Sequence, residues 1–325
     1  WNEGGKAMPN ATLNFPVGTV IAKTFSFKDG ADENIVETRL LIHRDAGEGE
    51  SLWEGMAYKW ETDAGGNRTD AVLAVSGGKT TATWNYPDPD PAVDKTYVGS
   101  TSEYVIPHPN QCGNCHNNED LEAGDAPIGP KVRLMNRPMD YDGDGVQEAN
   151  QLQRWVDLGM LTGAPDLSVD SEMIATGAQR LPRFDVEGDR FIVPGGQENH
   201  PAASAEHNTE QRARAWLETN CAHCHNNKGL ASSTGVYLDV FRNVNINYGV
   251  CKFPNTAGSA SGGREYDIVP GSADDSILSF RIHAEDSSIN MPPVARSVAH
   301  DEAVALIDHW LNNVVNSSYG NAGCE

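Results

Sequence analysis

The spacing of apolar and polar positions predicts β-strands in the first third of the chain. Five runs rich in β-branched and aromatic residues fit this pattern: residues 19–27, 35–42, 56–60, 71–75 and 80–86. Clusters of Gly, Asp, Asn and Ser separate the runs, as turns between short strands require. The pattern predicts a small antiparallel sheet or sandwich within residues 1–106.

After residue 106 the pattern changes to short helices joined by long loops. Apolar residues recur at helical spacing over residues 148–160, 209–220 and 301–315. The chain contains 32 Gly and 18 Pro, which favour loop structure between these helices. The expected fold class is therefore α+β, with an N-terminal antiparallel β domain followed by mainly α structure.

Length and charge narrow the possible functions. The 325 residues suffice for two or three domains, and the formal charge of −22 makes nucleic acid and anionic membrane surfaces poor partners. No apolar run approaches the roughly 20 residues that span a bilayer, so we expect no membrane span. The chain begins at Trp1, so a processed or truncated product is expected.

Two copies of Cys-x-x-Cys-His, at residues 112–116 and 221–225, use four of the six cysteines. In this pentapeptide the two thiols add to haem vinyl groups and the histidine binds the iron. A four-ligand zinc site would have to join widely separated pairs, and a redox dithiol would need a βαβ context that the pattern lacks. The motifs therefore predict two covalently bound haem c groups. The predicted haem-binding residues are Cys112, Cys115 and His116 at the first motif, and Cys221, Cys224 and His225 at the second.

A methionine is the predicted sixth ligand of the second haem. Met291 precedes Pro292 and Pro293 and stands shortly before the last predicted helix. Prolines restrict the backbone and stiffen the loop that would present the sulfur. Met and His ligation together would raise the reduction potential relative to two histidines.

The sixth ligand of the first haem stays open between several residues. Met173 follows His116 at a spacing close to that of the second site and is the leading candidate. An open or water-occupied position is a further alternative. The other candidate ligands are Met135, Met139, Met160, His43, His108, His200 and His207. The Gly129–Pro130 pair resembles a Gly-Pro that lies against the proximal side in class I cytochromes c. This resemblance implies that the carbonyl there accepts the His116 imidazole N–H, and a plain turn proline is the alternative.

An acidic loop after the first motif is similar to the first half of an EF-hand loop. Its carboxylates fall at alternate positions and Gly145 allows the required turn, but Gln151 replaces the bidentate Glu at position 12. A solvated Asp/Gly turn is the alternative. The predicted calcium ligands are Asp140, Asp142, Asp144, Val146 and Glu148.

Five segments together resemble one family of bacterial exported diheme c-type cytochromes. They are residues 14–25, 36–41, 128–131, 212–225 and 290–293. The resemblance runs from about residue 13 to the C-terminus, and it implies a β domain ahead of two haem domains. Members usually carry a further N-terminal stretch, so we expect that this chain lacks some sequence. The order of helix, motif, loop and closing helix is that of class I cytochromes c. We therefore expect domains at residues 1–106, 107–203 and 204–325, the last two mainly α and cytochrome c-like.

The motifs and the resemblance imply a periplasmic or extracellular electron carrier. Haem is attached outside the bacterial cytoplasm, where Cys251 and Cys324 are expected to form a disulfide. The acidic chain favours redox partners with basic contact surfaces. Two alternatives are a diheme peroxidase-like enzyme with an open haem face, and a subunit of an extended cytochrome assembly, either homo-oligomer or filament. No hydrolase triad or nucleotide fingerprint competes with these readings.

Overall fold

The computed structural model describes most of the chain. The described residues are 13–87, 94–116, 124–142, 146–169, 171–173, 177–184, 205–294, 296–315 and 324. Strands account for 29% of the structure and helices for 25%, so neither class dominates.

One six-stranded sheet forms the N-terminal part. The strands are β1 (Val20–Asp29), β2 (Asp32–Gly47), β3 (Glu50–Thr62), β4 (Arg68–Leu73), β5 (Gly78–Pro87) and β6 (Thr96–Ile106). Their order is β4-β3-β2-β1-β5-β6, and the sheet curls into a half-barrel. Neighbouring strands are antiparallel except β1 and β5, which pair in parallel where Asp29 meets Asn85.

All six strands lie in the segment for which the sequence predicts β structure, but the arrangement differs from the predicted antiparallel sheet or sandwich. The strands form one mixed sheet, because the chain crosses from β4 at one edge to β5 beside β1. Strand β6 is absent from the predicted set. Its Thr, Ser and Gly residues weaken the apolar alternation, and its pairing with β5 defines it instead.

The α-helices with described bounds are α1 (Gly113–His116), α2 (Val132–Met135), α3 (Gln151–Asp157), α4 (Ala205–Asn220), α5 (Ile277–His283) and α6 (Asp301–His309). A π-helical turn, Trp310–Val315, continues α6. Short 3-10 helices at Pro109–Gln111, Ser232–Thr234, Ile246–Tyr248 and Gly258–Ser261 interrupt the loops.

The prediction of two mainly α, cytochrome c-like haem domains is wrong. Of the helices described, only α4 with 16 residues and α6 with 9 are longer than about two turns. Residues 221–276 carry turns and 3-10 helices, since they lack helical periodicity and contain many Gly residues. The predicted helices before the second motif and near the C-terminus are present as α4 and α6. Residues 221–276, which follow α4, contain no α-helix.

A buried acidic network lies inside the curled sheet. The carboxylate of Glu37 on β2 has no solvent exposure, and Arg39 binds it through two N–H groups at 2.6 and 2.8 Å. The hydroxyl of Tyr104 on β6 donates to the same carboxylate at 3.0 Å. These bonds join strands from both halves of the sheet and satisfy a charge that would otherwise be costly to bury.

The main apolar core of the C-terminal part surrounds α4 and α6. Leu217 of α4 and Ile307 of α6 are fully buried in it, together with Trp310 and Leu311 of the π-helical turn. Cys221 belongs to the same cluster, so the second motif begins inside this core. The predicted disulfide pair, Cys251 and Cys324, is joined by an S–S bond at the edge of this part.

A buried ion cluster connects the segment after the first motif to α4. One carboxylate oxygen of Glu218 accepts from Lys131 at 2.7 Å and from Arg133, and the other accepts the Val240 backbone N–H at 3.1 Å. Glu218 and Arg133 have no solvent exposure, and Lys131 has 4%. The chain therefore places two cations and one anion in its interior at the junction of two segments.

Burial and charge compete in this cluster. Burial tends to raise the pKa of Glu218, but Arg133 and then Lys131 overcome it and hold the value at about 2. Burial lowers the pKa of Lys131, and the attraction of Glu218 opposes that shift. Glu218 thus stays ionised in the folded chain well below its ordinary pKa of 4.5.

Two hydrogen bonds join the sheet to the C-terminal part. The hydroxyl of Tyr86 on β5 donates to Glu302 of α6 at 2.8 Å, and the N–H of Val105 on β6 donates to Ser297 at 2.7 Å. None of the helices in the described part of the chain combines the length and apolar character that a bilayer crossing requires.

Glu218→Gln is expected to lower the free energy of unfolding by about 3–5 kcal/mol at pH 7, because it leaves two buried cations without their anion. Denaturant titration measures this difference. The difference should shrink as pH falls from 4.5 to 2. The ionised Glu218 stabilises the fold fully above pH 4.5, and this stabilisation is lost as pH falls through its folded-state pKa of about 2. Glu103→Gln, which removes an exposed partner of Lys79, is the control and should cost no more than about 1 kcal/mol. Equal effects of the two substitutions would contradict the role given to Glu218.

Candidate functional site

The two Cys-x-x-Cys-His motifs lie side by side. The thiol of Cys224 is 3.8 Å from the carbonyl oxygen of Asn114, a residue 110 positions earlier in the chain. Cys115, His223 and Cys224 place one ligand atom each within 4.8 Å of one another. Motifs that the sequence predicts in separate domains thus form one composite site.

Each motif histidine is held by a carbonyl that follows it in the chain. The Nδ1–H of His116 donates to Ala126 at 2.7 Å, and that of His225 donates to Val236 at 3.2 Å. Such a bond fixes the ring and leaves Nε2 available to a metal. The two sites repeat this arrangement at separations of 10 and 11 residues.

The acceptor at the first site corrects a prediction, because the carbonyl belongs to Ala126 and not to Gly129–Pro130. Contacts with β3 hold this segment. The Asp125 N–H donates to the carbonyl of Trp53 at 3.0 Å, and the Asp125 carboxylate accepts the Gly55 N–H at 3.0 Å. The sheet therefore sets the position of the His116 acceptor.

Gly55 allows β3 to approach the first motif closely. A Cβ built on Gly55 would lie 3.0 Å from the sulfur of Cys112 and 3.0 Å from a carboxylate oxygen of Asp125. A larger residue would push the strand away from the motif. Sequence reasoning missed this residue, and a single Gly inside a strand is the signal that could have found it.

Burial favours the neutral form of both motif histidines. It lowers the pKa of His116, and it lowers the pKa of His225 to about 4 against the opposing effect of the Val236 carbonyl. A neutral imidazole is the form that binds a metal.

The four motif thiols differ in acidity. Burial raises the pKa of Cys221 to about 12 and also raises that of Cys112. The neighbouring Cys224 thiol, and after it His223, lowers the pKa of Cys115 to about 4, and the closeness of Cys115 raises the pKa of Cys224. The two motifs thus influence each other's thiol acidity through this pair of cysteines.

A cavity of about 300 Å³ opens beside the second motif. It is lined mostly by apolar side chains, and Cys221, Cys224, His225 and Met291 all border it. Its volume lies in the range of sites that bind small molecules and cofactors. The fold therefore brings the predicted axial residues, His225 and Met291, to one cavity.

An arginine that the sequence analysis missed fixes the Met291 loop. One N–H of Arg296 donates to the Met291 carbonyl at 2.7 Å, and the Met291 N–H donates to the Arg281 carbonyl at 3.0 Å. The same guanidinium also donates to the carbonyl of Ile282 on α5. These bonds tie the Met-Pro-Pro segment to α5, so its position does not depend on the prolines alone.

The thiols and imidazole of the second motif and the apolar wall of the cavity are chemically suited to a covalently attached, largely apolar ring. Haem combines an apolar ring, vinyl groups and carboxylates, and the donor set and the cavity fit it.

The candidate sixth ligands of the first haem have other roles in the structure. The sulfur of Met173 accepts from Asn136 at 3.2 Å and packs in the apolar cluster that contains Met135. Met139 and Met160 are 42% and 69% exposed. Ligation of the first haem by a methionine therefore stays a prediction.

The candidate histidines are also engaged, where they are described. His43 bonds to the Phe15 carbonyl and the Ser51 hydroxyl through its two nitrogens and stacks on Trp53 at 4.5 Å. The ring of His108 accepts from the Asn110 N–H. His200 and the side chain of His207 lie outside the described residues.

The calcium prediction is only partly covered by the structure. Asp144 lies outside the described residues, and Val146 is 60% exposed. The carboxylate of Glu148 pairs with Arg154 at 3.6 Å. Among the described residues, Asp140, Asp142 and Glu148 do not form a three-donor group. Calcium binding here therefore stays a prediction.

Comparisons with protein-family models, with curated proteins and with solved structures find no match. The functional argument therefore depends on the composite site itself.

Proposed function

We propose that the chain is an exported diheme c-type cytochrome that transfers single electrons between redox partners. The observation that carries this proposal is the convergence of two Cys-x-x-Cys-His motifs on one site, each with its histidine already held through Nδ1. Each motif offers two thiols and one imidazole. The thiols match the two vinyl groups of haem, and the imidazole matches an axial position of its iron.

Each haem would have its own attachment residues. Haem, when bound, supplies reversible one-electron chemistry at iron. The thioether and proximal residues would be Cys112, Cys115 and His116 for the first haem, and Cys221, Cys224 and His225 for the second.

The surrounding residues act by orientation and by exclusion of water. The Val236 carbonyl fixes the ring of His225 and raises its basicity. Arg296 holds the loop that carries Met291, so the sulfur needs little reordering to bind iron. The apolar cavity wall limits water access, and together with Met ligation it favours the reduced state.

The closeness of the motifs supports electron exchange within the chain. The sulfurs of Cys115 and Cys224 lie within 4.8 Å of each other, so groups attached to them would be neighbours. Cys251 and Cys324 form a disulfide, and this agrees with a periplasmic or extracellular location. The formal charge of −22 favours partners with basic contact surfaces.

The exported chain is expected to carry two covalent haems. Intact mass after acid-acetone extraction should exceed the polypeptide mass by two haem groups, because thioether bonds resist extraction. Cys221→Ala/Cys224→Ala should retain one haem, and Cys251→Ser/Cys324→Ser should retain two. A wild-type chain that loses all haem on extraction would rule out the proposed function.

Met291→Ala is expected to remove the axial sulfur and lower the potential of the second haem. The ferric far-red absorption band and a spectroelectrochemical titration report these changes. Met56→Ala, at a half-buried position on β3 that is not a candidate ligand, is the matched control and should leave both unchanged. If the Met291 variant keeps the wild-type spectrum and potential, Met291 is a packing residue.

The reduced protein is expected to exchange electrons faster with a cationic cytochrome than with hydrogen peroxide. Its negative charge should steer the basic partner, so the rate should fall as salt screens the attraction. Stopped-flow spectroscopy at several ionic strengths measures both reactions. Fast turnover with peroxide would instead support the peroxidase-like alternative.

A further inference from the structure

Three metal-binding side chains meet where the two motifs touch. The sulfurs of Cys115 and Cys224 and one ring nitrogen of His223 lie within 4.8 Å of one another. All three side chains are partly buried. Among the described residues this is the one group of three or more such donors. It draws its sulfurs from different motifs, so neither motif alone contains it.

The donor types select a soft divalent metal. Two thiolates and one imidazole match zinc, which binds in tetrahedral sites, and they disfavour calcium and magnesium, which prefer oxygen. Three protein ligands would leave the fourth zinc position to water. Metal binding would displace the protons of both thiols.

We propose that the chain binds one Zn²⁺ through Cys115, His223 and Cys224 before haem is attached. This site goes beyond the proposed function, because His223 is the variable residue of its motif and haem attachment does not require it. The zinc-bound chain would have one cysteine of each motif occupied. Under the proposed function, zinc would therefore compete with haem attachment at both motifs together.

The first test uses the full-length chain produced without haem attachment. Anaerobic titration with zinc chloride against a chromophoric chelator should give one tight site per chain. Alkylation followed by peptide mass mapping should then show that zinc protects Cys115 and Cys224 and leaves Cys112 as reactive as before. Protection of Cys112 together with Cys115 would indicate a site within one motif and would overturn the proposal. A Cys115–Cys224 disulfide that forms in place of zinc binding would also overturn it.

Variants separate the zinc site from the haem function. His223→Ala should weaken zinc binding by at least about tenfold. Loss of a hydrogen-bond partner of a metal ligand already weakens binding by about that factor, so loss of a direct ligand should cost no less. His309→Ala, at an exposed position on α6, is the matched control and should not change the affinity. Cys112→Ala keeps all three ligands and should bind zinc as the wild type does, so loss of binding in this variant contradicts the proposal.

The haem content of the same variants distinguishes the two proposals. His223→Ala should still receive two haems when the chain is exported, because both motifs stay complete. Zinc binding without haem attachment would contradict the cytochrome proposal alone. Haem attachment with no zinc binding in the haem-free chain would contradict the zinc site alone.

Discussion

The composite site depends on one buried ionic interaction. Glu218 lies at the end of α4, three residues before Cys221, and its carboxylate binds Lys131 and Arg133 from the segment that follows the first motif. Three buried charges have a large desolvation cost, which only close mutual contact offsets. In the docked arrangement Glu218 contacts both cations, and the same arrangement brings the two motifs together. Apolar contacts alone would tolerate more than one docking geometry.

The curled sheet supports the first motif directly. Strand β3 holds the segment 124–126, which in turn supplies the carbonyl that orients His116. Gly55 allows the strand to reach Cys112 without a steric clash. The β part therefore acts as one wall of the site. Under the proposed function, the sheet would orient the first haem motif.

Local patterns in the sequence predict the local structure well. The helical spacing that leads into Cys221 and the stripe near the C-terminus correspond to α4 and to α6 with its π-helical turn. Five of the six strands lie in runs of β-branched and aromatic residues. The cysteine motifs can be recognised from five consecutive residues each. The Cys251–Cys324 disulfide can be predicted because these are the two remaining cysteines of a chain expected in an oxidising compartment.

Long-range pairing could not be predicted from these patterns. The contact between Cys115 and Cys224 depends on Glu218, Lys131 and Arg133, charged residues that a periodicity argument assigns to the surface. The order of motif and helices predicts mainly α domains, yet residues 221–276 fold through turns, 3-10 helices and side-chain hydrogen bonds. Asn226 is an example, since its amide N–H donates to the carbonyl of Ala222 inside the second motif and its amide oxygen accepts the Gly229 N–H after the motif. Such bonds leave no periodic signal.

The central claim is that two attached haems are neighbours in one site, and circular dichroism across the Soret band tests it directly. Neighbouring haems couple their electronic transitions, so the reduced wild-type protein should show a band of two opposite lobes. The spectra of Cys112→Ala/Cys115→Ala and Cys221→Ala/Cys224→Ala, each with one haem, should show no such splitting. A wild-type spectrum equal to the sum of the two single-haem spectra would contradict the account.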